Sequence, residues 1–98
     1  MYDIYRGEKM RAVISVLGKD NRGILAKVSG ECAKVNANIL EVSQNIMQDM
    51  FVMIMMIDIR EINVDFKDFV DHMGQFGEDN QLKIHVMHED IFNSMHKI

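Results

Sequence analysis

Apolar positions along the chain switch between two spacings, every second residue and every third to fourth, and each switch marks an element boundary. Arg11 to Leu17 alternates, with Ala12, Ile14 and Val16 on one face and Arg11, Val13, Ser15 and Leu17 on the other, which predicts a strand. From about Ile24 to Val35 the spacing becomes helical. Ile24, Val28, Cys32 and Val35 make the buried stripe, and Lys27, Glu31 and Lys34 are expected to face water. Asn36-Ala37-Asn38 ends that helix, since asparagine tolerates the left-handed conformation a helix end favours. Ile39 to Met47 alternates again, Leu40, Val42 and Ile46 against Glu41, Ser43 and Asn45. Gln48-Asp49 marks a tight turn into Met50 to Ile57, with Asp58 near the end. This run is apolar on both faces and is therefore read as a central strand whose second face must be covered.

A second helix is expected over roughly Val64 to Gln75. Phe66, Phe69, Val70 and Met73 face inward, Asp65, Lys67, Asp68 and Asp71 face outward, and Gly74 and Gly77 end it. Acidic residues gather at its start, where the helix dipole favours them. Leu82 to His88 is a fourth strand with Leu82, Ile84 and Val86 inward. Glu89 to Ile98 makes an amphipathic turn or short helix through Ile91, Phe92, Met95 and Ile98, suited to covering the open face of the third strand in its own subunit or a partner's.

The order β-α-β-β-α-β predicts an α+β, ferredoxin-like sandwich: a four-stranded antiparallel sheet, two helices on one face, and a short C-terminal amphipathic helix. Three segments follow: an N-terminal extension over residues 1–9, disordered or arm-like, a domain over 10–88, and a tail over 89–98. Arg6-Gly7-Glu8-Lys9 stand directly before Met10, and purine-rich codons for them would resemble a ribosome-binding site, which makes Met10 the expected natural start. The alternative is an arm that pairs with a partner subunit.

Composition narrows the function. Ninety-eight residues make one domain. A formal net charge of -4 argues against a binder that neutralises nucleic-acid phosphates. The single cysteine, Cys32, fits a reducing cytoplasm, and the longest apolar run is too short to span a bilayer. With no proline in the chain, its turns fall to Gly, Asn and Asp. Ten methionines, several of them in Met53-Ile54-Met55-Met56, read as core packing rather than a thioether site for Cu(I), because alternate strand residues face opposite ways.

The junction Val13 to Leu25 concentrates the candidate chemistry. A strand ends at Gly18, a polar loop closes at Gly23, and a helix begins, so unpaired backbone N–H groups point outward toward a small anion. Other chemistries do not fit. Cys-x-x-Cys is missing, which removes a metallochaperone. Phe51 to Ile57 offers one aromatic and no base, unlike an RNA-recognition strand. Gly18 and Gly23 have P-loop spacing, yet Ile24-Leu25 follow instead of Lys-Ser/Thr. His72, His85, His88 and His96 make no metal-ligand set; no metal, cofactor or catalytic residue is expected.

Asp20-Asn21-Arg22-Gly23-Ile24-Leu25 closing the first loop and Val35-Asn36-Ala37-Asn38-Ile39 opening the second strand resemble the ACT domain, an amino-acid-sensing regulatory module, over about Met10 to His88. The chain is similar most of all to small stand-alone ACT proteins and to the ACT halves of the glycine cleavage system transcriptional repressor. Arg22 stands where many ACT loops carry proline and Gly18 where serine-binding forms carry histidine, so the likeness stops short of serine specificity. By position, the resemblance implies an effector site at a homodimer interface, with Asp20, Asn21, Gly23, Ile24 and Leu25 from one subunit and Asn38 and Ile39 from the other. Amides near Gly23 would take a carboxylate, Asp20 an ammonium group, and Asn38 either end. The competing reading makes Asp20 or Asn21 a helix cap and Asn38 a turn residue. The expectation is a cytoplasmic, non-catalytic regulatory homodimer that binds a small amino acid or related metabolite and signals to a protein partner. The alternative is a ligand-free interaction module using the sheet face and tail.

Overall fold

In the computed structural model, residues 10–19 and 22–95 are described. The expectations for residues 1–9, Asp20, Asn21 and residues 96–98 lie outside that range. Four strands, β1 (Arg11–Gly18), β2 (Asn38–Met47), β3 (Met50–Asp58) and β4 (Lys83–His88), form one antiparallel sheet in the order β2-β3-β1-β4. Helices α1 (Ile24–Lys34) and α2 (Phe66–Asp79) supply the second layer, and α3 (Glu89–Met95) follows β4. This is the ferredoxin-like arrangement that the alternating periods predict.

The core sits between sheet and helices. Ala12, Ile14 and Val16 of β1 and Phe51, Met53, Met55 and Ile57 of β3 meet Ile24, Val28 and Cys32 of α1 and Phe69 and Met73 of α2. Met53 and Met55 are buried strand residues, the packing role their flexible thioethers suit. The hairpin turn between β2 and β3 has Gln48 and Asp49 both at positive φ, 51° and 69°, the backbone that a two-residue hairpin requires. Asn36, at φ 65°, likewise turns the chain out of α1.

β2 departs from simple alternation. A bulge between Ile39 and Glu41 leaves Leu40 as the extra residue, so Ile39 pairs with Ile57 and Val42 with Met55, both on the helix side despite their odd spacing. Beyond the bulge the helices do not cover the strand, and Val42 and Ile46 are 38% and 60% exposed.

Three expectations need correction. α2 starts later than expected, after Asp65 as N-cap, and runs through Gly74 and Gly77 to Asp79 instead of stopping there. Gly77 stays helical because α2 crosses the start of β4 closely: a Cβ there would sit 2.7 Å from the Leu82 carbonyl oxygen. Glu31 does not face water. It is 7% exposed because His72 Nε2 lies 2.6 Å from one carboxylate oxygen and Lys34 Nζ donates to the other at 2.9 Å. Finally, α3 contacts β1 and β4. Arg11 clamps Glu89 through two bonds of 2.9 Å, and Val13, on the face away from α1 and α2, is only 1% exposed. Val52, Ile54 and Met56 on that same face remain half-buried.

Candidate functional site

The first loop leaves β1 at Gly18, which is buried and paired with Phe51, and delivers the chain to α1 through Gly23. Gly23 is the N-cap, in the left-handed region at φ 68°, and has no side chain to satisfy the first-turn amides. An added Cβ there would meet nothing within 4 Å, so backbone conformation rather than crowding demands the glycine. Of the two residues that follow, Ile24 is spent in the core and only Leu25 faces outward.

Asn38 opens β2 at an exposed position, paired with Asp58, and Ile39 packs partly against the core. The turn before it is held from outside its own element. Asn36 Nδ2 donates to the Glu61 carbonyl at 3.0 Å, and the Asn63 backbone N–H donates to the Val35 carbonyl at 3.0 Å. A surface depression of about 360 Å³ lies here, lined by Asn36, Ala37, Asn38, Asp58, Arg60 and Glu61. Arg60 donates from Nη2 to Asp58 at 2.7 Å and from Nε at 3.1 Å, and this hydrogen bonding holds the Asp58 carboxyl below the ordinary carboxylate range. The depression thus presents a guanidinium, two carboxylates and two amides: groups that can meet both ends of a zwitterion.

Asp58, Arg60 and Glu61 are site neighbours that sequence reasoning missed. Counting back from the Gln48-Asp49 turn would set Asn38 against Ile59, and only the bulge at Leu40 moves it to Asp58.

Within one chain the two halves of the expected site are apart. Arg11, Asp58 and Asn38 form one end of the sheet, while Gly18, Phe51 and Ile46 form the other. Seven residues of strand, roughly 24 Å, separate them. The loop therefore lies at the end where β2 finishes, and Asn38 at the end where β2 begins.

Residues 10–86 match the profile of the ACT domain. A UPF0237 protein of Listeria monocytogenes is 51% identical over 89 residues, 91% of this chain and 100% of that protein. Among solved structures, an ACT domain protein from Streptococcus pneumoniae is 35% identical with TM-score 0.76, covering 85% of this chain and 93% of the other. A putative glycine cleavage system transcriptional repressor shares the fold at TM-score 0.62 and 19% identity, over 78% of this chain and 43% of its own.

Proposed function

The chain belongs to the ACT domain family, and from that premise we propose that it is a non-catalytic regulatory module, a homodimer that binds a small amino acid or related metabolite between its subunits. The supporting observation is the strand register. A two-fold axis normal to the sheet beside the free edge of β2 would pair β2 with its copy antiparallel and bring one subunit's Asn38 to the end of the sheet that carries the other's first loop. Asp20, Asn21, Gly23 and Leu25 would then face Asn38 and Ile39 of the second copy, with Arg60 and Asp58 behind them.

The flank involved is suited to self-association. β2 is ten residues long, pairs only with β3 among the described residues, and exposes Val42 and Ile46 on its helix side. The part of this edge beyond the bulge, with Val42 and Ile46 exposed, is long enough to accept another strand. Beside it, α1 turns Leu25, Ala26, Gly30 and Ala33 outward, and among the described residues no other element comes within 4 Å of a Cβ at Gly30. Small residues let a second helix come close.

Ligand binding at such an interface would shift the association or shape of the dimer by a coupling of about 1–3 kcal/mol, enough for a partner protein to read. A thermal-shift screen of the common amino acids tests this reading. At least one should raise the midpoint, and Asp20→Ala and Asn38→Ala should each abolish that response while leaving the apo midpoint nearly unchanged. A flat screen overturns the ligand. A chain that sediments as a monomer at working concentration overturns the interface.

Ile91 and Met95, exposed on α3, favour a second reading in which the tail docks a protein without any ligand. Co-purification with one partner, insensitive to amino acids and abolished by Ile91→Glu, would select it.

A further inference from the structure

The depression beside Asn38 has two walls, and the chain fixes each against the other. One is the turn out of α1, residues 36–38; the other is the end of β3 and the segment after it, residues 58–61. Ile59 anchors the second wall: its side chain is buried, and its backbone N–H donates to the Met10 carbonyl at 2.8 Å. The Ile62 N–H closes a turn onto the Ile59 carbonyl at 3.4 Å. Arg60 and Glu61 take the two central positions of that turn, so both can line the same depression. Across the gap, Asn36 Nδ2 donates to the Glu61 carbonyl at 3.0 Å. Both walls are therefore in place before a ligand arrives, and binding does not have to order them.

The charged groups inside differ in what they have left to bind. Asp58 is fully engaged: its Oδ1 accepts the Arg60 backbone N–H at 2.9 Å, its two oxygens accept Arg60 Nε at 3.2 and 3.1 Å, and Oδ2 accepts Nη2 at 2.7 Å. These bonds run along the Nε–Nη2 side of the guanidinium. Its other edge, Nη1 with the second Nη2 hydrogen, donates to no group among the described residues, and it forms a two-pronged donor whose direction Asp58 sets. The Glu61 carboxylate accepts no hydrogen bond among the described residues either, and both residues are exposed. A fork for a carboxylate and a carboxylate for an ammonium group thus lie on consecutive residues. Ala37, itself buried, is the one apolar residue among the described lining, so this end offers nothing to cover an aliphatic or aromatic side chain.

We propose, resting on the ligand-binding reading above, that this depression receives the head group of an α-amino acid: the α-carboxylate on the open edge of Arg60, the α-ammonium group on Glu61, and the Asn38 amide beside them. Asp58 is a positioning residue, since it acts on the ligand only through Arg60. Opposite charges side by side select a zwitterion. A simple anion meets like charge at Glu61, and a simple cation meets it at Arg60. In the proposed dimer the ligand's side chain then points to the first loop of the second copy, where the exposed Leu25 and the backbone of Gly23 stand. That orientation is the reverse of the one the family resemblance implies, with the carboxylate on amides near Gly23. The Arg60 end recognises amino acids as a class, and the loop end chooses among them.

The test takes the full-length, ¹⁵N-labelled protein and titrates it with glycine, the head group without a side chain, and with acetate and methylammonium, which each carry one of its charges. Glycine should move the amide resonances of Asn36, Asn38, Arg60 and Glu61 and the Arg60 Nε–H resonance, and bind about tenfold more tightly than either half. Arg60→Lys keeps the charge and loses the fork. It and Glu61→Gln should each weaken glycine about tenfold, and should weaken every amino acid that raises the wild-type melting midpoint by a similar factor, whatever its side chain. Asp58→Asn should weaken glycine severalfold and broaden the Arg60 Nε–H resonance, while the Asn38 amide stays in place. Full binding in Arg60→Lys or Glu61→Gln, glycine no tighter than acetate or methylammonium, or glycine shifts confined to residues 23–25 would each overturn the assignment and leave the ligand-binding module standing. So would the absence of any glycine shift when another amino acid raises the midpoint. If none of the common amino acids moves either the midpoint or any resonance of wild type, both the assignment and the ligand-binding module are overturned.

Discussion

Glu31 shows at single-residue scale how a neighbour can override a surface pattern. Its spacing on α1 puts it with Lys27 and Lys34, yet α2 lays His72 over it and excludes water. The hydrogen bond from His72, aided by Lys34, holds its carboxyl below the usual glutamate range despite the opposing effect of burial. A lowered folded-state pKa means that this group stabilises the fold above its unfolded pKa and loses that contribution as pH falls through the folded one. Wild type should therefore shed stability on acidification below the ordinary glutamate range, and Glu31→Gln should melt lower at neutral pH, by about 1–3 kcal/mol, with a flatter acid limb. Chemical denaturation at several pH values reads both. Next to it, burial first and the Glu31 charge second push the Cys32 thiol up to about 11. It should resist a disulfide reagent such as Ellman's in the native state and react only on unfolding.

At the scale of elements, two glycines in one helix should behave oppositely. Gly74→Ala meets open space and gains helix propensity, so it should stabilise by about 0.5–1 kcal/mol. Gly77→Ala drives a Cβ to 2.7 Å from a backbone oxygen and should cost roughly 1–3 kcal/mol, since the crossing of α2 over β4 has to open. Paired urea titrations decide it. Sequence alone treats both as helix breakers, because a glycine's neighbours in space are not written in its neighbours along the chain. The alternating and helical runs themselves were legible: Phe69 and Met73 of α2, Ile24, Val28 and Cys32 of α1, and Leu82, Ile84 and Val86 at β4 are all buried as the periodicity predicts. The bulge at Leu40 was not, since a one-residue insertion looks like ordinary strand until its partner is known.

For the whole molecule, α3 is tied back to the first strand. Arg11 and Glu89 are 78 residues apart in sequence and joined by two short bonds, with the Glu89 side chain only 12% exposed. Arg11→Ala should free α3 without unfolding the sheet. Hydrogen exchange over Glu89–Met95 should rise by an order of magnitude or more, while the global melt moves only slightly. Uniform exchange throughout the chain would instead make α3 part of the cooperative core. The candidate ligand site also belongs to this scale, because its two halves lie at opposite ends of one sheet and only assembly can join them.

Period and turn residues were enough to determine the ferredoxin-like order, the two buried helix stripes and the place of Asn38 at the start of β2. These depend on local chain geometry, which repeats every two or 3.6 residues and is visible in one dimension. Tertiary structure alone decided that Glu31 is buried, that Asp58 and Arg60 stand beside Asn38, that Gly77 is crowded and Gly74 is not, and which strands lie at the two edges of the sheet. Most of those are contacts between distant parts of the chain, set by strand register and helix crossing; Gly77 meets residues only five and seven positions on, but through the way the chain turns from α2 into β4, and no periodic pattern encodes either kind.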